Sequence, residues 1–212
     1  MTEVGAYLQN GTSPTTLGKL HAINIETDEV SDTWNLPSGV FGNGVAVGEK
    51  GMIYISDLGG KLVSVDTKNG AVAILAEQAP TGGICYVGND TLYAHGGDKI
   101  SRITINEKGN AVFKSLSVVG ETLSNSDGLI ALDENTLFST KDGSSVLKLE
   151  VAGDVVFAST KVALSENVGP TSLDVGTING TPYLLVVDGQ LLSMFQQKAP
   201  RVPFSPMLKK LN

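Results

Sequence analysis

Asn43 and Asp127 occupy matching places in the chain, each directly before a glycine that opens a short apolar run: Gly44-Val45-Ala46-Val47 and Gly128-Leu129-Ile130-Ala131. A carboxylate at such a strand entrance can exchange a proton with a bound molecule, and an amide can orient one. The same residue types also settle turns, because Asp and Asn side chains accept hydrogen bonds from nearby backbone amides. The residues alone leave both readings open. His95 ends another apolar run, Thr91-Leu92-Tyr93-Ala94-His95, ahead of a Gly96-Gly97-Asp98 loop. An imidazole titrating near neutrality is the obvious general base, so His95 joins Asp127 as a candidate catalytic residue.

Other polar residues read more simply. His21 alternates with Leu20 and Ala22 as a half-exposed strand residue. Asp57, Asp66 and Asp188 close strands, where bonding the following turn is their default role, although Asp57 could face a channel. Lys141-Asp142-Gly143 is a polar turn, or else presents Lys141 to a substrate carboxylate. Cys85 is the single cysteine and sits in Gly-Ile-Cys-Tyr-Val with no activating histidine, which reads as buried packing. There is no serine nucleophile elbow, no Cys/His metal cluster and no phosphate loop.

The elements that must position these residues recur. Gly44 has counterparts at Gly83, Gly128 and Ser172, and each is followed by a strand carrying an aromatic, Tyr54, Tyr93, Phe138 or Tyr183. A period of roughly 40 residues made only of short strands predicts the blades of an all-β propeller. Three units contain four antiparallel strands each, over 44–77, 83–118 and 128–162. Asn69-Gly70 predicts a type I′ hairpin turn in the first of these. Partial units lie at about 4–34 and 172–211. The earlier has a B-like strand at Val4–Leu8 and C and D strands at Lys19–Ile25 and Val30–Trp34, but no innermost strand. The later has an A strand from Ser172, B at Tyr183–Val187, C at Leu191–Phe195, and only Met207–Leu211 for D. One domain spanning 1–212 and holding four to five blades is expected. It is either an irregularly closed small ring or a truncated copy of a larger propeller; an incomplete ring would expose sheet faces and self-associate.

Composition supports a packed, turn-rich protein: 41% of the 212 residues are hydrophobic, and 25 are glycine. No stretch has the roughly 18 apolar residues of a membrane helix, and the N-terminus lacks a signal-peptide pattern, so no membrane association and a cytoplasmic location are expected. The net charge of −7 without a basic cluster argues against a nucleic-acid partner.

Phe41-Gly42-Asn43-Gly44-Val45-Ala46-Val47 with Gly51-Met52-Ile53-Tyr54-Ile55-Ser56-Asp57 resembles a blade of the gluconolactonase / senescence-marker-protein (regucalcin-like) propellers. Ser126-Asp127-Gly128-Leu129 and Pro170-Thr171-Ser172 are similar to later blades of that family. The resemblance spans roughly residues 18–190. It implies a six-bladed ring with a divalent cation, usually calcium, in the central channel, and hydrolysis of sugar lactones or related esters. Asn43 and Asp127 match two of the four family ligands. A second family Asn falls at Gly82, and the blade carrying the family's Glu is missing. What the resemblance implies is therefore a calcium- or zinc-dependent lactonase acting on a small molecule, or a non-catalytic propeller that binds a small molecule or protein with an incomplete metal site.

Overall fold

The computed structural model describes residues 2–3, 18–141, 145–164, 169–188 and 207–210. They form five sheets and, apart from a short 3-10 turn at Glu49–Gly51, no helix. The first sheet contains β1 (Thr2–Glu3), β2 (Lys19–Asn24) and β3 (Glu29–Asn35). The second runs in chain order through β4 (Gly42–Val47), β5 (Met52–Asp57), β6 (Leu62–Asp66) and β7 (Ala71–Ala76). The third repeats that order with β8 (Ile84–Gly88), β9 (Thr91–Gly96), β10 (Lys99–Ile105) and β11 (Ala111–Ser115). After β12 (Ser117–Gly120) come β13 (Leu129–Ala131), β14 (Thr136–Lys141), β15 (Ser145–Ala152) and β16 (Val155–Ala163), then β17 (Pro170–Ile178), β18 (Thr181–Asp188) and β19 (Met207–Lys210). No helix among the described residues is long and apolar enough to cross a membrane.

The sheets stack like blades because their middle strands are apolar on both faces. In β5 and β6, Ile55, Val63 and Val65 pack with Leu20, Leu36 and Val40 of the first sheet region. Tyr54 and Leu62, pointing the other way, pack with Ile84, Leu92 and Ile103 of the third sheet. Cys85, Tyr93 and Ile100 then meet Leu137, Leu147 and Leu149 of the fourth sheet, and Phe138 and Val146 meet Leu173, Leu184 and Val186 of the fifth. Four cores thus lie between five sheets, and the inner strands β4, β8, β13 and β17 are successive neighbours. This is the all-β propeller arrangement expected from the repeat.

The recurring glycine follows from that neighbourhood. A Cβ on Gly44 would lie 3.0 Å from the Ile84 amide nitrogen, one on Gly83 would lie 2.5 Å from that of Leu129, and one on Gly128 would lie 2.9 Å from the Ser172 Cα. Each glycine lets one inner strand press its backbone against the next. Ser172, the fourth member, is exposed and has no following inner strand among the described residues.

Local details depart from expectation. The predicted strand 111–118 breaks at the buried Leu116, and β12 crosses to pair in parallel with β16, making the fourth sheet five-stranded. Arg102 reinforces this junction by bonding the Gly153 carbonyl and the Asp154 carboxylate from the third sheet. Asn69-Gly70 does not form a type I′ turn: Gly70 has φ +74°, while Asn69 is not in the positive-φ region. Asp66 instead organises a longer loop, accepting from the Lys68 amide and from Asn69 Nδ2. In the fifth sheet β19 pairs directly with β18, so it takes the third position and not the expected fourth. The expected strands at Val4–Leu8 and Leu191–Phe195, and the Asp142-Gly143 turn, lie outside the described residues.

Candidate functional site

Short buried polar side chains fix the entrances of the inner strands. Ser56 Oγ at the end of β5 accepts from the Gly44 amide and donates to the Gly82 carbonyl, at 3.0 and 2.6 Å. Thr140 Oγ1 at the end of β14 accepts from the amides of both Asp127 and Gly128, at 2.9 and 3.0 Å. Since Thr140 satisfies these amides, the Asp127 carboxylate is not needed as the turn acceptor. That carboxylate is part-buried and lines a cavity of about 720 Å³ along the inner strands. Burial raises its pKa above the ordinary aspartate value, and a hydrogen bond from the Asn43 side chain opposes the rise.

Asn43 and Asp127, from the second and fourth sheets, are therefore brought together. Asn43 Nδ2 also donates to the Thr81 carbonyl at 2.8 Å, which ties the amide to the loop before β8. The rest of the cavity wall includes Val45 and Val47 on β4, Tyr86 on β8, Ile130 on β13 and Asp174 on β17.

His95 is elsewhere. It is 0% exposed at the end of β9, the register position held by Ser56 and Thr140 in the neighbouring sheets, and it does not line the cavity. Its ring occupies the space that a Cβ on Gly82 would need and faces the backbone of Asp127 and Gly128. Neither ring nitrogen makes a well-formed hydrogen bond; the adjacent backbone of Gly128 and Asp127 only partly offsets the burial, which pulls its pKa down to about 4. Held in this sheet contact, the ring does not line the cavity.

The family's second Asn position is thus closed by the His95 ring as well as lacking a side chain. Among the described residues no three or more His, Cys, Asp or Glu side chains gather as a metal group. The Asn43 amide and the carboxylates of Asp127 and Asp174, the acidic residues of the cavity wall, fall well short of the six to eight oxygens that calcium takes. The donor set does not fit such an ion.

The remaining candidates are structural. Lys141 Nζ is paired with Glu121 Oε2 at 2.7 Å, and Cys85 is buried, its thiol pushed up to about 12 by desolvation. His21 is half-buried and bonds the Thr33 hydroxyl across β2 and β3. Asp57 is fully buried and accepts from the backbone amides of Phe41 and Lys61, pinning the entry to β4. Asp57→Asn replaces one acceptor with a donor that faces those amides. A loss of about 2 kcal/mol is expected in denaturant unfolding.

The chain matches no known protein-family model and no curated protein. Solved structures do resemble it. Glutaminyl cyclase from Myxococcus xanthus aligns with a TM-score of 0.56 at 16% identity, over 94% of this chain and 86% of that one. A candidate 6-phosphogluconolactonase from Bacteroides uniformis gives 0.53 at 14% identity, over 100% and 66%. The β-propeller domain of Swd1 from Myceliophteria thermophila gives 0.54 at 11%, over 92% and 65%. The chain spans about two thirds of the length of these last two. At such identities the likeness establishes the propeller fold and nothing finer.

Proposed function

We propose that this propeller binds a small molecule in its axial cavity, with Asn43 and Asp127 as the polar anchor, and that it does so without a divalent cation. One juxtaposition carries the reading: Asn43 and Asp127 meet at the cavity, while the position between them in the repeat, Gly82, is filled from behind by the His95 ring. The cavity is of ordinary size for a small ligand and mixes apolar walls with a few fixed polar groups. A nucleic-acid partner stays outside the proposal because of the −7 charge.

The second reading is a calcium- or zinc-dependent hydrolase of sugar lactones. The approach of Asn43 to Asp127 favours it, as does the fold shared with the Bacteroides protein. Calorimetric titration with Ca²⁺ and Zn²⁺, together with a gluconolactone hydrolysis assay, separates the two. No heat at micromolar ion concentrations and no turnover above buffer are expected. A micromolar dissociation constant that disappears in Asp127→Asn, accompanied by lactone turnover, would replace the binding reading with the hydrolase.

A further inference from the structure

Resting on the proposed cavity binding, we infer that the ligand is an organic cation, a small primary or quaternary ammonium whose charged head sits against Asp127 and whose hydrocarbon part lies along β4. The charge lining the cavity comes first. Asp127 and Asp174 are its acidic residues, and none of its described lining residues is Lys, Arg or His. Anionic ligands such as phosphates or sugar acids would meet like charge and no cation, which costs binding free energy.

Hydrogen bonding narrows the class further. The Asp127 carboxylate is part-buried, and the polar group that offsets its desolvation is the Asn43 amide, itself held by the Thr81 carbonyl. A part-buried carboxylate gains more from an opposite charge than from a neutral hydroxyl, because a charge removed from water is stabilised best by pairing. A divalent ion would supply charge but needs several more oxygens than these residues offer. A monovalent ammonium needs one carboxylate.

The apolar side of the cavity supplies the complement. Alternate residues of a strand share a face, so Val45 and Val47 point the same way, about 7 Å apart, and the strip they form begins beyond the bulge that carries Asn43. Val45 is 37% and Val47 72% exposed, an uncovered aliphatic strip leading away from the Asn43–Asp127 pair. Methylene groups attached to the ammonium would cover that strip.

A matched series tests the inference: n-butylammonium, n-butanol and butyrate, each titrated to millimolar concentration while amide and methyl resonances are followed by NMR. Saturable shifts at Asn43, Val45 and Val47 are expected with butylammonium, at an affinity about tenfold above butanol, with none from butyrate. Asp127→Asn should remove the tenfold advantage, so that butylammonium and butanol bind alike. This variant keeps the strand entrance, because Thr140 bonds the backbone amide of residue 127 and not its side chain. Equal binding of butylammonium and butanol, tighter binding of butyrate, or indifference to Asp127→Asn would overturn the cationic ligand while leaving cavity binding intact. Absence of shifts from all three probes would overturn both.

Discussion

Gly83→Ala is expected to destabilise the protein by about 3 kcal/mol and to lower its Tm by roughly 10 °C. The added Cβ would lie 2.5 Å from the Leu129 amide nitrogen and 2.6 Å from the Asp127 carbonyl oxygen. Both are backbone atoms, so no rotamer change relieves the clash. Either β8 or β13 must move, and β13 begins directly after the strand entrance that holds Asp127. Ser172→Ala at the equivalent place in the last repeat is the control. Its side chain already carries a Cβ and is exposed, so the change should stay within about 0.5 kcal/mol. Thermal melts of the two variants check this. Similar melting points would mean that the inner strands are not pressed backbone to backbone, and the axial cavity would lose its walls.

The repeat was legible because its causes are local and periodic. Gly44, Gly83 and Gly128 recur because neighbouring inner strands touch at those points, and Tyr54, Tyr93 and Phe138 recur because each fills a core between sheets. Alternation along β5 marked a strand correctly, but its two faces meet two different sheets and neither faces solvent. That distinction depends on what stacks on either side, and a strand pattern does not carry it.

The residues that sequence reading placed less well depend on contacts distant in the chain. The bend at Leu116 is dictated by β16, to which β12 must pair, and nothing near Leu116 announces it. Asn69-Gly70 looked like a two-residue turn because Asp66, which captures both Lys68 and Asn69, lies just outside the dipeptide. For Asp127 the sequence leaves the turn and cavity readings level, because Thr140, which bonds the two amides concerned, lies a strand away. One signal did exist. Ser56 and Thr140 each stand 12 residues after the repeat glycine they serve. His95 has the same offset from Gly83, which marks it as a member of this buried series and not as a loop residue.

Because His95 puts a titratable ring at a buried place in that series, acid should destabilise the fold. Its pKa is ordinary, near 6.5, in the unfolded chain and about 4 when folded. Between those values the unfolded state binds the proton that the folded state refuses, so stability rises with pH across this window. The contribution is complete above about pH 6.5, is lost progressively as pH falls, and reaches its full loss of about 3 kcal/mol near pH 4. Asp127 acts in the opposite direction, since a raised carboxyl pKa favours the folded state at low pH, and the comparison must cancel it. His95→Leu does so, because it removes only the imidazole. Relieved of two buried nitrogens that lack well-formed hydrogen bonds, this variant should match or exceed the wild type at pH 7. Denaturant midpoints measured for both proteins at pH 7 and pH 4.5 are expected to diverge, with the variant pulling ahead under acid. Parallel profiles would mean that the ring finds a partner or water, in which case it could also yield its place behind Gly82. The space that a side chain at position 82 requires would then be open, and the physical reason for setting aside a cation between Asn43 and Asp127 would go with it.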